Sequence, residues 1–218
     1  MESSFEVHWP YLALALAMLW YPRQWMRFGK WLKKRRKERE TMEKFAQDGA
    51  IDPGDKSLKL GRELRAKRNY LDVFRAMVGG YALWEFSFTV APENATLAFG
   101  VKVLLVLVGI LIQAVRWRDR ITWFAAIFYA FGLSVGMGNH IGAPMAFLLT
   151  CTINPILPTP RVFLSVFALL LVPFAYFVGQ VGLTESVVTS GMILLPPLLS
   201  LLTHRPMVVF TRKRNLTW

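Results

Sequence analysis

The chain has 218 residues, 54% of them hydrophobic and only 18% charged, with a formal net charge of +12. Soluble domains carry roughly 25% charged residues, and several runs here approach the ~20 apolar residues that a helix needs to cross a bilayer; this excludes an ordinary soluble domain and specifies a polytopic membrane protein. In a soluble chain the positive charge would suggest nucleic acid, but beside a membrane each basic residue is drawn to anionic headgroups by ~1 kcal/mol, so nucleic acid is not an expected partner.

The first span is predicted over about Phe5–Trp25, with Trp9 at one end and Trp20 and Tyr21 at the other, where aromatic belts sit. Pro10 falls in its first turn, where a missing N–H costs little, and Pro22 bends the exit. The acidic start, Met1-Glu2-Ser3-Ser4, does not look like a cleaved signal peptide, whose n-region is basic.

More than half of the 26 basic residues then lie between Arg27 and Arg68. Basic residues flanking apolar spans stay on the inner side of a bilayer, so this stretch anchors the topology. Residues 27–48 read as helix, Gly49 as its stop, Asp52-Pro53-Gly54-Asp55 as a turn, and a second helix follows. The stretch is predicted as a basic cytoplasmic helical hairpin between spans 1 and 2. Its apolar residues are too few for a free-standing domain, so Lys33, Lys34, Arg35, Arg36, Lys37 and Arg39 are the candidate contacts to lipid headgroups or a partner.

Spans 2 and 3 are predicted over about Tyr70–Val90 and Leu97–Val115, joined by Ala91–Thr96, which has no basic residue. A loop centred near Glu93 and Asn94 puts Glu85 at the depth of Lys102, Arg75 at that of Gln113, and Asp72 at that of Arg116. A lone charge in hydrocarbon costs from ~3 to over 10 kcal/mol, so these residues are expected to clamp the hairpin. The functional alternative is that Glu85 and Lys102 line an ion path.

Arg116–Arg120 returns the chain to the basic side, and span 4 is predicted over about Ile121–Gly138. Gly132-x-x-x-Gly136 and Ser134-x-x-x-Gly138 form the small-residue pattern of closely packed helices. The segment from Gly136 to Arg161 has Gly or Pro at both ends and a short apolar centre, read as a broken or tilted crossing. Two further spans, about Val162–Val178 and Val187–Thr203, bring the basic C-terminus inside, and Met207–Trp218 reads as an interfacial anchor.

The predicted fold class is thus all-α: a polytopic bundle of about seven spans in an inner, cytoplasmic or equivalent organelle membrane. The N-terminus is outside, and residues 27–69 and the C-terminus are inside. The divisions are 1–26 (first span), 27–69 (basic hairpin), 70–204 (six-span bundle) and 205–218 (basic tail).

Catalytic motifs are not evident. Neither a phosphate-binding Gly motif nor a G-x-S-x-G or H-E-x-x-H pattern occurs. Cys151 is the single cysteine, leaving no intrachain disulfide. Glu6, His8, Glu93, His140 and Glu185 gather on the predicted outer side, a donor set that would suit zinc or copper. Asn139 and Asn154 flank the broken segment, whose unwound backbone could coordinate an ion or solute. The leading expectation is a non-catalytic membrane subunit bound to anionic lipid and to other subunits, with no cofactor other than bound lipid. The alternatives are a small transporter or channel using Glu85, Lys102 and the broken segment, and a lipid-modifying enzyme with His140 or His204 as its base.

Overall fold

A computed structural model describes residues 5–23, 58, 60–117, 121–157, 159–205 and 207–209. The described residues are mostly helical, with two small sheets among them that the all-α expectation did not contain. Strand β1 (Phe5–Val7) precedes helix α1 (Trp9–Trp20). After α2 (Leu60–Leu64), α3 (Lys67–Tyr81) runs into a π-helical turn, Ala82–Phe86, and β2 (Phe88–Val90). β1 and β2 pair antiparallel, with Phe5 opposite Val90 and Val7 opposite Phe88.

A 3-10 turn at Pro92–Asn94 leads into α4 (Ala95–Ala114). Strands β3 (Val115–Trp117) and β4 (Ile121–Phe124) form an antiparallel pair, so the predicted fourth span opens as a strand rather than as helix. Its residues Ile121, Thr122, Trp123 and Phe124 are β-branched or aromatic, which suits a pleated surface. α5 (Ile127–Gly136) follows, then α6 (Gly142–Ile153) with a 3-10 turn to Ile156. α7 (Pro160–Pro173) starts with Pro160 at its first position and Thr159 as its cap, the hydroxyl accepting from the Val162 N–H at 3.3 Å. A π-helical turn, Phe174–Val178, separates α7 from α8 (Leu183–Leu202). Finally β5 (Met207–Val208) lies parallel to β4, with Met207 fully buried. This end of the predicted interfacial tail is therefore part of a sheet; residues 210–218 lie outside the described residues.

Among the described residues, three helical segments are long and apolar enough to cross a membrane: Pro92–Ala114, Pro160–Val178 and Leu183–Leu202. Three others are apolar but shorter: Trp9–Trp20, Ile127–Gly136 and Gly142–Ile156. At 1.5 Å per residue, α5 is about 15 Å long, half of a ~30 Å hydrocarbon core. Local chemistry shortens them: Pro22 ends α1, a strand replaces the start of α5, and the Gly136–Gly142 break separates α5 from α6. Pro196 and Pro197 are buried inside α8, which continues to Leu202.

Two apolar clusters hold the helices together. One centres on Phe147, whose ring lies 4.4 Å from that of Phe131 and 5.6 Å from that of Phe167. The other joins Leu19, Ala76, Leu83, Val106 and Leu133. The helices α3 and α5 make the most extensive helix pair. A Cβ placed on Gly132 would lie 2.8 Å from Val73 Cα, and one on Gly136 would lie 3.0 Å from Met77 Cα. Backbone therefore meets backbone along the small-residue face, as its spacing predicts. This pairing also corrects the expected direct hairpin of spans 2 and 3: the main partners of α3 are α5 and α1.

Candidate functional site

Pro22 prevents another turn of α1, which leaves the last carbonyls of that helix in need of donors. Side chains from three other helices supply them. Gln113, at the end of α4, donates through Nε2 to the Leu19 carbonyl at 3.2 Å and the Tyr21 carbonyl at 3.0 Å. Tyr129 of α5 donates its hydroxyl to the Leu19 carbonyl at 3.1 Å. Arg75 of α3 donates Nη1 to the Tyr21 carbonyl, and its charge complements the negative end of the helix dipole.

Arg75 then builds outward. Its Nε donates to Asp72 Oδ1 at 2.9 Å, its Nη2 to Gln113 Oε1 at 2.8 Å, and its guanidinium lies 5.2 Å from the Tyr129 ring centroid. Arg23, just beyond α1, closes the other side: Nη1 lies 2.5 Å from Asp72 Oδ2, and Nη2 donates to Asn69 Oδ1 at 2.5 Å. The Asn69 amide donates in turn to the Glu63 carbonyl at 2.7 Å and to Glu63 Oε2 at 2.9 Å.

The cluster is withdrawn from water. Asn69, Asp72, Arg75 and Glu63 are 0%, 1%, 5% and 6% exposed. Two guanidiniums face two carboxylates, so the group is neutral, and a buried charge without such a partner would cost several kcal/mol. Both oxygens of Asp72 are committed to guanidiniums, an arrangement that fixes chain segments rather than presenting a base or nucleophile.

Its position in the chain gives it a role. Arg23 precedes the basic stretch, whereas Glu63, Asn69 and Asp72 lie at its end and just beyond, so one cluster ties the two ends together. A second tie lies at Leu58, which is buried and whose carbonyl accepts from Asn154 Nδ2 at 2.8 Å. Asn154, expected as a candidate solute ligand, is thereby a tether just beyond the end of α6.

Of the predicted charge partners, Arg75 and Gln113 meet as expected. Asp72 is held by Arg23 and Arg75, the first of which was not expected. Arg116 sits on β3 and its side chain lies outside the described atoms, as do Lys33, Lys34, Arg35, Arg36, Lys37, Arg39 and the predicted turn at 52–55. Lys102 reaches the predicted depth, but its ammonium donates to the Trp84 carbonyl at 2.5 Å and sits 5.5 Å from the Trp84 ring centroid. Glu85 is exposed, and both it and Glu185 are near enough to act on the Lys102 charge.

The residues predicted on the outer side do not gather into one site. His8 Nε2 is 2.7 Å from the Thr89 hydroxyl, the His140 ring lies 6.2 Å from that of Tyr81, and Glu6 and Glu93 are exposed. Among the described residues no three His, Cys, Asp or Glu side chains come together as a metal site would require. Asn139 is fully buried in the break between α5 and α6, and neither of its side-chain polar atoms has a hydrogen-bond partner among the described residues.

Sequence reasoning missed Arg23, Glu63, Asn69 and Tyr129. A signal existed for one of them: Asn69, Asp72 and Arg75 recur at intervals of three, which puts them on one face of a helix. Nothing in the pattern could pair them with Arg23. Trp20, expected in an interfacial belt, instead donates Nε1 to the Leu105 carbonyl at 3.0 Å and joins α1 to α4. No protein-family model, no curated protein and no solved structure matches this chain.

Proposed function

We propose that the chain is a non-catalytic integral subunit of a larger membrane assembly, holding its basic segment 27–69 against anionic lipid or a neighbouring subunit. The observation that carries this reading is the ion-pair cluster, in which Arg23 on one side of the segment is bonded to Asn69 and Asp72 on the other. A loop with both ends fastened to a bundle loses less freedom on docking than one hung from separate helices. The reading includes about seven crossings, the N-terminus outside and the basic segment and C-terminus inside. The three long apolar helices and the confinement of basic loops to one predicted side support it.

The test is the native mass of the protein extracted from its own membrane in mild detergent. Stoichiometric companions of other sequence are expected, and reversing Arg35, Arg36 and Lys37 to Glu should release them. A lone monomer or homo-oligomer overturns the reading.

A second reading, a small transporter or channel, draws on Asn139, buried at the helix break with its amide unpartnered among the described residues. Broken helices line solute sites in such proteins. Flux into vesicles that survives both Asn139→Ala and Glu85→Gln would remove it.

A further inference from the structure

Helix α3 is inverted relative to a helix of a water-soluble protein. Asn69, Asp72 and Arg75 are buried, whereas Tyr70, Leu71 and Phe74 are 56%, 54% and 57% exposed. These three fall on one stripe of a 3.6-residue helix, continued toward Tyr81 at the other end. Helices that pack on one another in a bilayer do so through small residues. In α3 those residues are already used: Gly79 lies against Leu19 of α1 and Gly80 against Gly136 of α5. The aromatic stripe is a surface suited to acyl chains rather than to another helix. At its beginning Arg65, Lys67 and Arg68 are exposed and have no ion pair among the described residues.

We propose that this face seats an anionic phospholipid, its acyl chains along Tyr70, Leu71 and Phe74 and its phosphate against Arg65, Lys67 and Arg68. The proposal rests on membrane integration of the chain and not on its having partner subunits, so the native-mass experiment can fail without touching it. Three cations at the foot of an apolar stripe match the charge and the polarity order of such a lipid, with each cation contributing about a fivefold preference.

The test uses the full-length chain purified alone, mixed in detergent with equal amounts of phosphatidylglycerol and phosphatidylcholine of the same acyl chains. Bound lipids are counted by native mass spectrometry. The wild type should retain phosphatidylglycerol in preference, and Arg65→Gln/Lys67→Gln/Arg68→Gln should lose that preference about tenfold or more. Leu71→Ser/Phe74→Ser should lower retention of both lipids. Circular dichroism checks that each variant is folded. Equal retention of the two lipids by the wild type, an unchanged preference in the Arg65/Lys67/Arg68 variant, or unchanged retention in the Leu71/Phe74 variant overturns the proposal. Displacement of phosphatidylglycerol by millimolar inorganic phosphate would assign the cations to a free anion and overturn it as well.

Discussion

Replacing Asp72 with alanine removes the carboxylate that lies between two guanidiniums. In the wild type its oxygens are 2.5 Å from Arg23 Nη1 and 2.9 Å from Arg75 Nε. Arg75 is 5% exposed and cannot reach water to recover the lost partner. Breaking a buried pair by deleting one member costs about 3–5 kcal/mol. The lower end applies here, because Arg75 keeps Gln113 and the Tyr21 carbonyl and Arg23 keeps Asn69. For a chain of this size each kcal/mol lowers Tm by roughly 2–4 °C, so Asp72→Ala should melt roughly 6–12 °C lower in mild detergent, followed by circular dichroism. Asp72→Asn should lose less, since it keeps an acceptor for Arg75. Combining Asp72→Ala with Arg23→Leu should cost less than the sum of the two, with a coupling of about 1–3 kcal/mol. A fall under about 2 °C for Asp72→Ala, or losses that simply add in the cycle, would refute the buried cluster.

Gly136→Val should cost about 3 kcal/mol or more, read as loss of folded protein on size exclusion, because its Cβ would meet the backbone of Met77 and Tyr81. Gly100→Ala in α4 and Gly191→Ala in α8 meet nothing within 4 Å; each should raise stability by about 0.5–1 kcal/mol, visible as a higher melting temperature. Lys102→Met should cost about 1–2 kcal/mol by stripping the donor from the Trp84 carbonyl. Glu85→Gln, at an exposed position without an ion pair to Lys102, should stay within about 0.5 kcal/mol; chemical denaturation of the two variants separates a carbonyl cap from a charge clamp.

Composition and pattern determined the helical, apolar character of this protein: the runs that became α4, α7 and α8 are long and apolar enough to cross a bilayer, and length and apolarity are written locally. The same holds for the Gly132/Gly136 face, whose close approach to Val73 and Met77 follows from the absence of side chains at that spacing. The depth match of Arg75 with Gln113 was legible because a short loop fixes relative depth. Which helices are neighbours was not legible. Loop length ranks depth but does not choose partners, and α1 and α5, not α4, became the main companions of α3. The strands β3, β4 and β5 escaped the pattern because runs of two to four residues are too short to show a period and read equally as strand or as the end of a helix. The closing of the ion-pair cluster by Arg23 belongs to the tertiary structure. Arg23 and Asp72 are separated by the entire basic segment, and only the Pro22 bend and the packing of α1 against α3 bring their charges together, where burial makes neutrality obligatory.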